Sequence, residues 1–340
     1  MSDVAGIRRI LLQSAADVHF PANIPRGGFG QPLTSRGICS YGWAVIDDLR
    51  RWDETGTGRT DMKTMGRRQF ATLMMRLGAV AAVGYPFIVE PHWPAVQRVD
   101  IPIASLPWQL DGLRIGLAAD FHRSRFVTAE FIANAAAMLQ AEATDVIILA
   151  GDFIEGAETY MASCAGALDG LSAPLGVFAI LGNHDCMIHR HAVHGALRRR
   201  QIRLLVNEHV PLVWNGGRCH LIGMDDVLFG KPAAMSFFED LPRDEPAILA
   251  VHEPDVADRV AADGCWLPLQ VSAHSHGGQV KLPLLGPLVL PPYGRNYPEG
   301  LRRVGTGDRW IYTTRGVGSA VFPVRFNCPP EITVLRLAAA

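Results

Sequence analysis

The sequence predicts a layered α/β protein, and three observations carry that expectation. Short apolar runs recur between residues 113 and 272. Stretches with helical spacing separate several of them. Each run stops at an aspartate, an asparagine or a histidine. Continuous apolar runs mark strands buried on both faces. Helices between them imply sheets covered by helices.

The elements follow in order. Residues 114–119 form the first run, ending at Asp120. Residues 128–142 have helical spacing, with Thr128 placed to cap the first turn. Residues 145–150 end at Gly151-Asp152, and a helical stretch is expected from there to about Leu171. Residues 177–181 end at Gly182-Asn183-His184-Asp185. Residues 247–251 end at His252, and residues 267–272 lead into His274-Ser275-His276. Ligands of open α/β sheets gather beyond the carboxyl ends of the strands. Five strand ends therefore bring their Asp, Asn and His side chains to one rim.

Composition bounds the rest. A chain of 340 residues can form one large domain or two ordinary ones. Apolar residues make up 49 % and charged residues 19 %, below the ~25 % usual in soluble domains. That predicts a well-filled core and leaves room for a membrane-facing piece. The formal net charge of -1 gives no electrostatic footprint for nucleic acid. Lys63, Lys231 and Lys281 are the only lysines, which points to genomic base composition before function. The cysteines, Cys39, Cys164, Cys186, Cys219, Cys265 and Cys328, are scattered without a CxxC pair. They read as small buried hydrophobes, not as a zinc ribbon or a disulfide framework.

Residues 1–61 show weak periodicity and many turn formers, and no chemistry is legible in them. Residues 62–90 are different. Arg67-Arg68-Gln69-Phe70 leads into the mostly apolar residues 71–89, which include Ala79-Val80-Ala81-Ala82. A basic start, an apolar middle and small residues are the parts of an export signal. The arginine pair resembles a twin-arginine signal, although Gly66 replaces the usual polar residue and Arg76 interrupts the apolar run. Such a signal belongs at an N-terminus, so translation is expected to start at Met62 or Met65. The apolar run is close to the ~20 residues of a bilayer span, so it can also serve as an uncleaved membrane anchor. The plain alternative is a buried amphipathic helix. Residues 91–340 are expected to form the catalytic domain.

The chemistry sits in Asp120, His122, Asp152, Asn183, His184, His252, His274 and His276. Carboxylate, imidazole and amide oxygen suit borderline divalent metals, and the lack of thiolates argues against structural zinc. Two metals roughly 3.5–4 Å apart clamp the attacking and leaving oxygens of an in-line displacement. Phosphoryl transfer is the reaction that most needs this, because charge spreads over several oxygens. Any one of these histidines alone would read as a core or surface residue. His189, His191 and His194 lie on an Arg-rich stretch and read as a solvated face. Cys186 has no partner suggesting nucleophilic work.

In this order, Asp120-Phe121-His122, Gly151-Asp152, Gly182-Asn183-His184-Asp185, His252 and His274-Ser275-His276 resemble the calcineurin-like metallophosphoesterase superfamily. The resemblance covers about residue 113 to the C-terminus. Ala273 stands where the last motif usually begins with glycine. The resemblance implies a four-layer α/β/β/α sandwich of two mixed sheets flanked by helices. It implies two divalent metal ions (Mn, Zn or Fe), with Asp120, His122 and His276 on one, Asn183, His252 and His274 on the other, and Asp152 bridging. It implies hydrolysis of phosphate esters by a water activated between the metals. His184 would face the leaving group and protonate it, and Asp185 would orient its ring or cap the following helix.

The C-terminal third narrows the resemblance. His276-Gly277-Gly278-Gln279, Pro291-Pro292-Tyr293-Gly294, Thr314-Arg315-Gly316 and Phe326-Asn327-Cys328-Pro329 look like the bacterial exported branch, which includes twin-arginine-dependent cell-envelope phosphodiesterases. Glu90-Pro91-His92-Trp93 fits that branch too. Arg315 and Arg325 are candidates to contact substrate phosphate, or else structural ion pairs. The implied location is the periplasm or the outer face of the cytoplasmic membrane, with membrane association through residues 71–89. A related group hydrolyses UDP-2,3-diacylglucosamine on the cytoplasmic side of the membrane, and an export signal speaks against it. A non-catalytic binding scaffold would be expected to lose His184 or several ligands, and none is lost.

Overall fold

The computed structural model describes residues 66–104, 106–188, 190–234, 242, 245–263 and 267–340. The expected extension over residues 1–61, the candidate starts Met62 and Met65, and His189, Cys39 and Cys265 lie outside the described residues. The chain divides into two compact units, Met1–Thr72 and Leu73–Ala340. Of the first, only the beginning of helix α1 (Arg67–Gly84) is described.

No helix among the described residues is long and apolar enough to cross a membrane. Two short helical turns, Tyr85–Val89 and Glu90–His92, follow α1. They are tied to the C-terminal part of the chain. The Pro86 carbonyl accepts from Arg325 N at 2.9 Å, and the buried Glu90 carboxylate accepts from Cys328 N.

The Leu73–Ala340 unit is built on two six-stranded mixed sheets. The first has the order β1 (Ala95–Ile103), β14 (Glu331–Ala339), β2 (Arg114–Ala118), β3 (Val146–Leu149), β4 (Val177–Ala179), β5 (Arg203–Leu204). All its pairs are parallel except β14 with β2. The second has the order β12 (Gly300–Arg303), β13 (Trp310–Thr313), β9 (Leu269–Ser272), β8 (Ala247–Ala250), β7 (Gly217–Gly223), β6 (Glu208–Trp214). Its four central strands are parallel and its two edges antiparallel. A small hairpin, β10 (Lys281–Leu282) and β11 (Gly286–Pro287), stands apart from both.

Side-chain alternation along these strands creates three apolar layers. Ile115, Leu117, Val146 and Ile148 face Leu221, Ile248, Leu269 and Val271 between the sheets. On the outer face of the first sheet, Ile147 and Leu149 pack with Ile132 and Leu139 of α2 (Ala129–Ala141), Cys164 of α3 (Met161–Ala167) and Val193 and Leu197 of α5 (Arg190–Arg198). On the outer face of the second sheet, Ile222 and Leu249 pack with Val256 and Val260 of α6 (Val256–Ala262). This is the expected two-sheet sandwich flanked by helices.

The five predicted strands are present, each a little shorter than its apolar run. Thr128 caps α2 as predicted, its hydroxyl accepting from Phe131 N at 3.2 Å. The helix expected to run to about Leu171 ends earlier, because α3 spans only Met161–Ala167 before Gly170 and Pro174. His191 and His194 lie exposed on α5. Cys164, Cys219 and Cys328 are buried free thiols, and Cys186 is half-buried.

Candidate metal centre

The strand ends deliver the predicted residues to one place. Asp120 and His122 follow β2, Asp152 follows β3, and Asn183 opens α4 (Asn183–Ile188) after β4. His252 follows β8, and His274 and His276 follow β9. Three groups have ligand atoms within 4.8 Å of one another: Asp120–His122–His276, His122–Asp152–His184 and Asp152–His252–His274. Asp152 and His122 link the three. Asn183 joins them through its side-chain oxygen, 2.9 Å from His274 Nδ1.

Backbone strain concentrates here. Asp120, His122, Asp152, His274 and His276 have φ of 52°, 43°, 55°, 70° and 51°. Non-glycine residues rarely adopt this left-handed region, and clusters of them mark functional sites. The loops hold one another in place: Asp120 N donates to Gly151 O at 2.9 Å, and His122 N to Asp152 O at 3.0 Å.

The donor set fits cations, because acceptors face acceptors. His252 Nδ1 lies 2.7 Å from the Ala150 carbonyl. A carbonyl only accepts, so the ring proton sits on Nδ1 and leaves Nε2 with a lone pair. That Nε2 lies 3.1 Å from Asp152 Oδ2 and 3.8 Å from Asp120 Oδ1. Likewise His274 Nε2 meets the Pro292 carbonyl at 2.9 Å, which turns the Nδ1 lone pair toward Asn183 Oδ1. His122 Nε2 and His276 Nε2 face each other at 3.0 Å. Buried Asp120 Oδ2 has no hydrogen-bond partner among the described residues. Either protons or metal ions must fill these gaps.

The protein side of that competition is visible in the pKa shifts. Burial above all pushes His122 down to about 3 and His274 down to about 4, and it holds His276 well below the ordinary value. These rings are neutral near pH 7, as metal ligands must be. Burial would also lower His252, but the charges of Asp152 and Asp120 outweigh it and raise it well above the ordinary value. Without metal, a proton on His252 supplies the positive charge between the two carboxylates. Burial would raise Asp152, yet its cationic neighbours, led by His252, hold it well below the ordinary value. Asp120 is pushed up to about 7, chiefly by burial.

His184 is half-buried, its ring edge-on to His122 with centroids 4.8 Å apart. Its backbone N–H donates to Asp152 Oδ1 at 2.9 Å. Asp185 departs from the first of its two expected roles. It does not orient the His184 ring. Its fully buried carboxylate accepts instead from three backbone N–H groups, those of Asp152 (2.8 Å), Phe153 (2.9 Å) and Gly182 (3.0 Å). It is a clamp that pins the β3 and β4 loops together.

Of the two arginines, Arg315 makes the ion pair that was the second of its two expected readings, and Arg325 fits neither reading. Arg325 is fully buried, with its guanidinium donating to the carbonyls of Arg315, Gly316, Gly318 and Cys328. It stands 3.3 Å behind His276 Nδ1 and supports the ligand loop. Arg315 donates to Glu331 Oε2 at 2.6 Å. The buried Arg325 guanidinium is not free for substrate. One neighbour escaped sequence reasoning: Glu155 lies 3.5 Å from His122 Nδ1, and its other oxygen accepts from Val321 N. Its only sequence signal was its place three residues past Asp152, on the same loop.

A two-sheet α/β sandwich with an Asp/His/Asn cluster at its strand ends is the architecture of a metal-dependent phosphoester hydrolase. Residues 113–278 match the calcineurin-like phosphoesterase family. The metallophosphoesterase YkuE of Bacillus subtilis is 34 % identical over 286 residues, covering 81 % of this chain and 99 % of that protein. The phosphodiesterase YaeI of Escherichia coli is 31 % identical over 277 residues, covering 80 % and 98 %. A transmembrane protein with a metallophosphoesterase domain from Danio rerio is 28 % identical over 283 residues, covering 79 % and 62 %. The chain belongs to the calcineurin-like metallophosphoesterase family and is a hydrolase.

Proposed function

We propose that this chain is a phosphodiesterase of the cell envelope that works with two divalent cations, Mn, Zn or Fe. The observation that carries the reading is the double set of facing acceptors around Asp152. Asp120, His122 and His276 would hold one cation, Asn183, His252 and His274 the other, and Asp152 would serve both. When bound, the cations supply Lewis acidity and an activated water.

The chain's own groups do the rest. The loops keep the ligand carboxylates and rings in place before substrate arrives, so little reorganisation is needed. His184 lies at the edge of the cluster with a ring that makes no hydrogen bond among the described residues. It protonates the departing alkoxide. The phosphodiesterase name of the Escherichia coli relative supports a diester. The Arg67-Arg68 pair and its apolar sequel support export, and the name of the Danio rerio relative is consistent with a membrane setting.

The test is hydrolysis of bis-p-nitrophenyl phosphate and p-nitrophenyl phosphate by purified protein, with metal analysis. Two metals per chain are expected, with loss of turnover in chelator and recovery on adding Mn or Zn. No hydrolysis of either ester by protein shown to carry two metals would end this reading.

A further inference from the structure

The ligand rings are held from behind, and each support has its own chemistry. His252 Nδ1 meets the Ala150 carbonyl and His274 Nε2 the Pro292 carbonyl. His276 Nδ1 faces the Arg325 guanidinium. His122 differs from all three. Its Nε2 points into the cluster, 3.0 Å from His276 Nε2 and 3.5 Å from Asp152 Oδ2. Its Nδ1 is buried without a hydrogen-bond partner among the described residues, and the Glu155 carboxylate stands 3.5 Å away.

The backbone aims Glu155 at this ring. The loops after β2 and β3 run side by side: His122 N donates to Asp152 O at 3.0 Å, Arg123 N to Phe153 O at 3.0 Å, and Glu155 N back to Arg123 O at 3.2 Å. The carboxylate is pinned as well. Its Oε1 accepts from Val321 N at 2.9 Å, which leaves Oε2 for His122. Val321 sits at φ 61°, which a β-branched residue adopts only when its surroundings impose it.

A carboxylate accepts and does not donate. Opposite Nδ1 it favours the tautomer with the proton on Nδ1 and the lone pair on Nε2, the atom that points into the cluster. At 3.5 Å this pull is electrostatic, longer than a good hydrogen bond. Resting on the two-cation reading, we propose that Glu155 is a positioning residue for the cation held by Asp120, His122 and His276. It fixes the His122 tautomer and ring, and through them the affinity of that one position.

Glu155→Gln is the variant that tests this. Its amide oxygen still accepts from Val321 N, but its NH₂ then meets His122 Nδ1 as a second donor and favours the tautomer that cannot ligate. Calorimetric titration of chelator-treated protein with Mn²⁺ is expected to show one of the two affinities weakened about 10–100-fold. The other should keep its wild-type value, and the Tm of the metal-free protein should not change. In a His122→Ala background the same change should cause no further loss. Two unchanged affinities in Glu155→Gln overturn the proposal. So does weakening of both, or a further loss without the His122 ring; either would make Glu155 a brace for the Val321 loop and no more. Wild-type protein that binds fewer than two cations is a different result: it removes the two-cation reading and this proposal with it.

Discussion

In the proposed site, Asp152 is the residue on which both cation sets would depend. Its Oδ2 lies 3.1 Å from His252 Nε2 and 3.5 Å from His122 Nε2, while Oδ1 accepts the His184 N–H. Asp152→Asn puts a neutral amide where two cations need an anion. We expect metal content to drop at both positions by elemental analysis; two metals retained would contradict the bridging role. His184→Ala tests a different function. Metal content should stay at two while turnover falls ~10²–10⁴-fold on an alkyl phosphodiester. The loss should be smaller on a p-nitrophenyl ester, whose leaving group departs without a proton. Loss of metal instead would make His184 a ligand. Asp120 gives a pH signature. Its pKa rises from 3.8 to about 7 in the metal-free fold, chiefly through burial. Protonated Asp120 therefore contributes stability that is fully present below about 3.8 and lost as pH rises through about 7. Asp120→Asn carries no such titration. In chelator, the wild-type Tm relative to this variant should fall as pH rises from 4 to 7; a constant difference would refute the shift.

The elements matter here chiefly for where they stop. The central strands are short, and after β2, β3 and β9 the chain turns sharply into residues with positive φ. Asp185 holds the loops after β3 and β4 together through three backbone N–H groups. Burial, then the charge of Asp152, pushes its pKa up to about 7 against those donors. Asp185→Asn keeps the shape but leaves one oxygen for three N–H groups and turns an NH₂ toward one of them. We expect a loss of about 1–3 kcal/mol in stability, read as a lower Tm, with weakened metal binding but not its abolition. An unchanged Tm would show that the loops do not need the clamp. The strands that bear the site were legible because they are buried on both faces. The edge strands were not. In β6 the burial alternates, and β1 carries Arg98 and Asp100 toward solvent, so neither forms a continuous apolar run. β14 pairs with β1 and β2, more than two hundred residues away in the chain for its partner register, and no local pattern announces such a pairing.

For the whole molecule, the open question of location has a direct test. Residues 62–95 fused to a reporter should carry it across the membrane, and changing Arg67 and Arg68 to lysine should block this. Export unaffected by the change, or none from the original fusion, would refute an envelope location. Residues 85–92, which continue from α1, bond to Arg325 and Cys328. Removing them should therefore expose the support behind His276. The sequence by itself determined the α/β class, the order of the central strands along the chain and the identity of the Asp, Asn and His residues at their ends. Local apolar periodicity and the polar residue that ends each run are sufficient for that. The tertiary structure decided what each of those residues does with its atoms. Asp185 binds backbone instead of His184, Arg325 is buried behind His276, and Glu155 stands beside His122. These contacts join loops from separate strands, so they depend on where the folded backbone aims each N–H and carbonyl. Spacing along the chain carries no record of that direction.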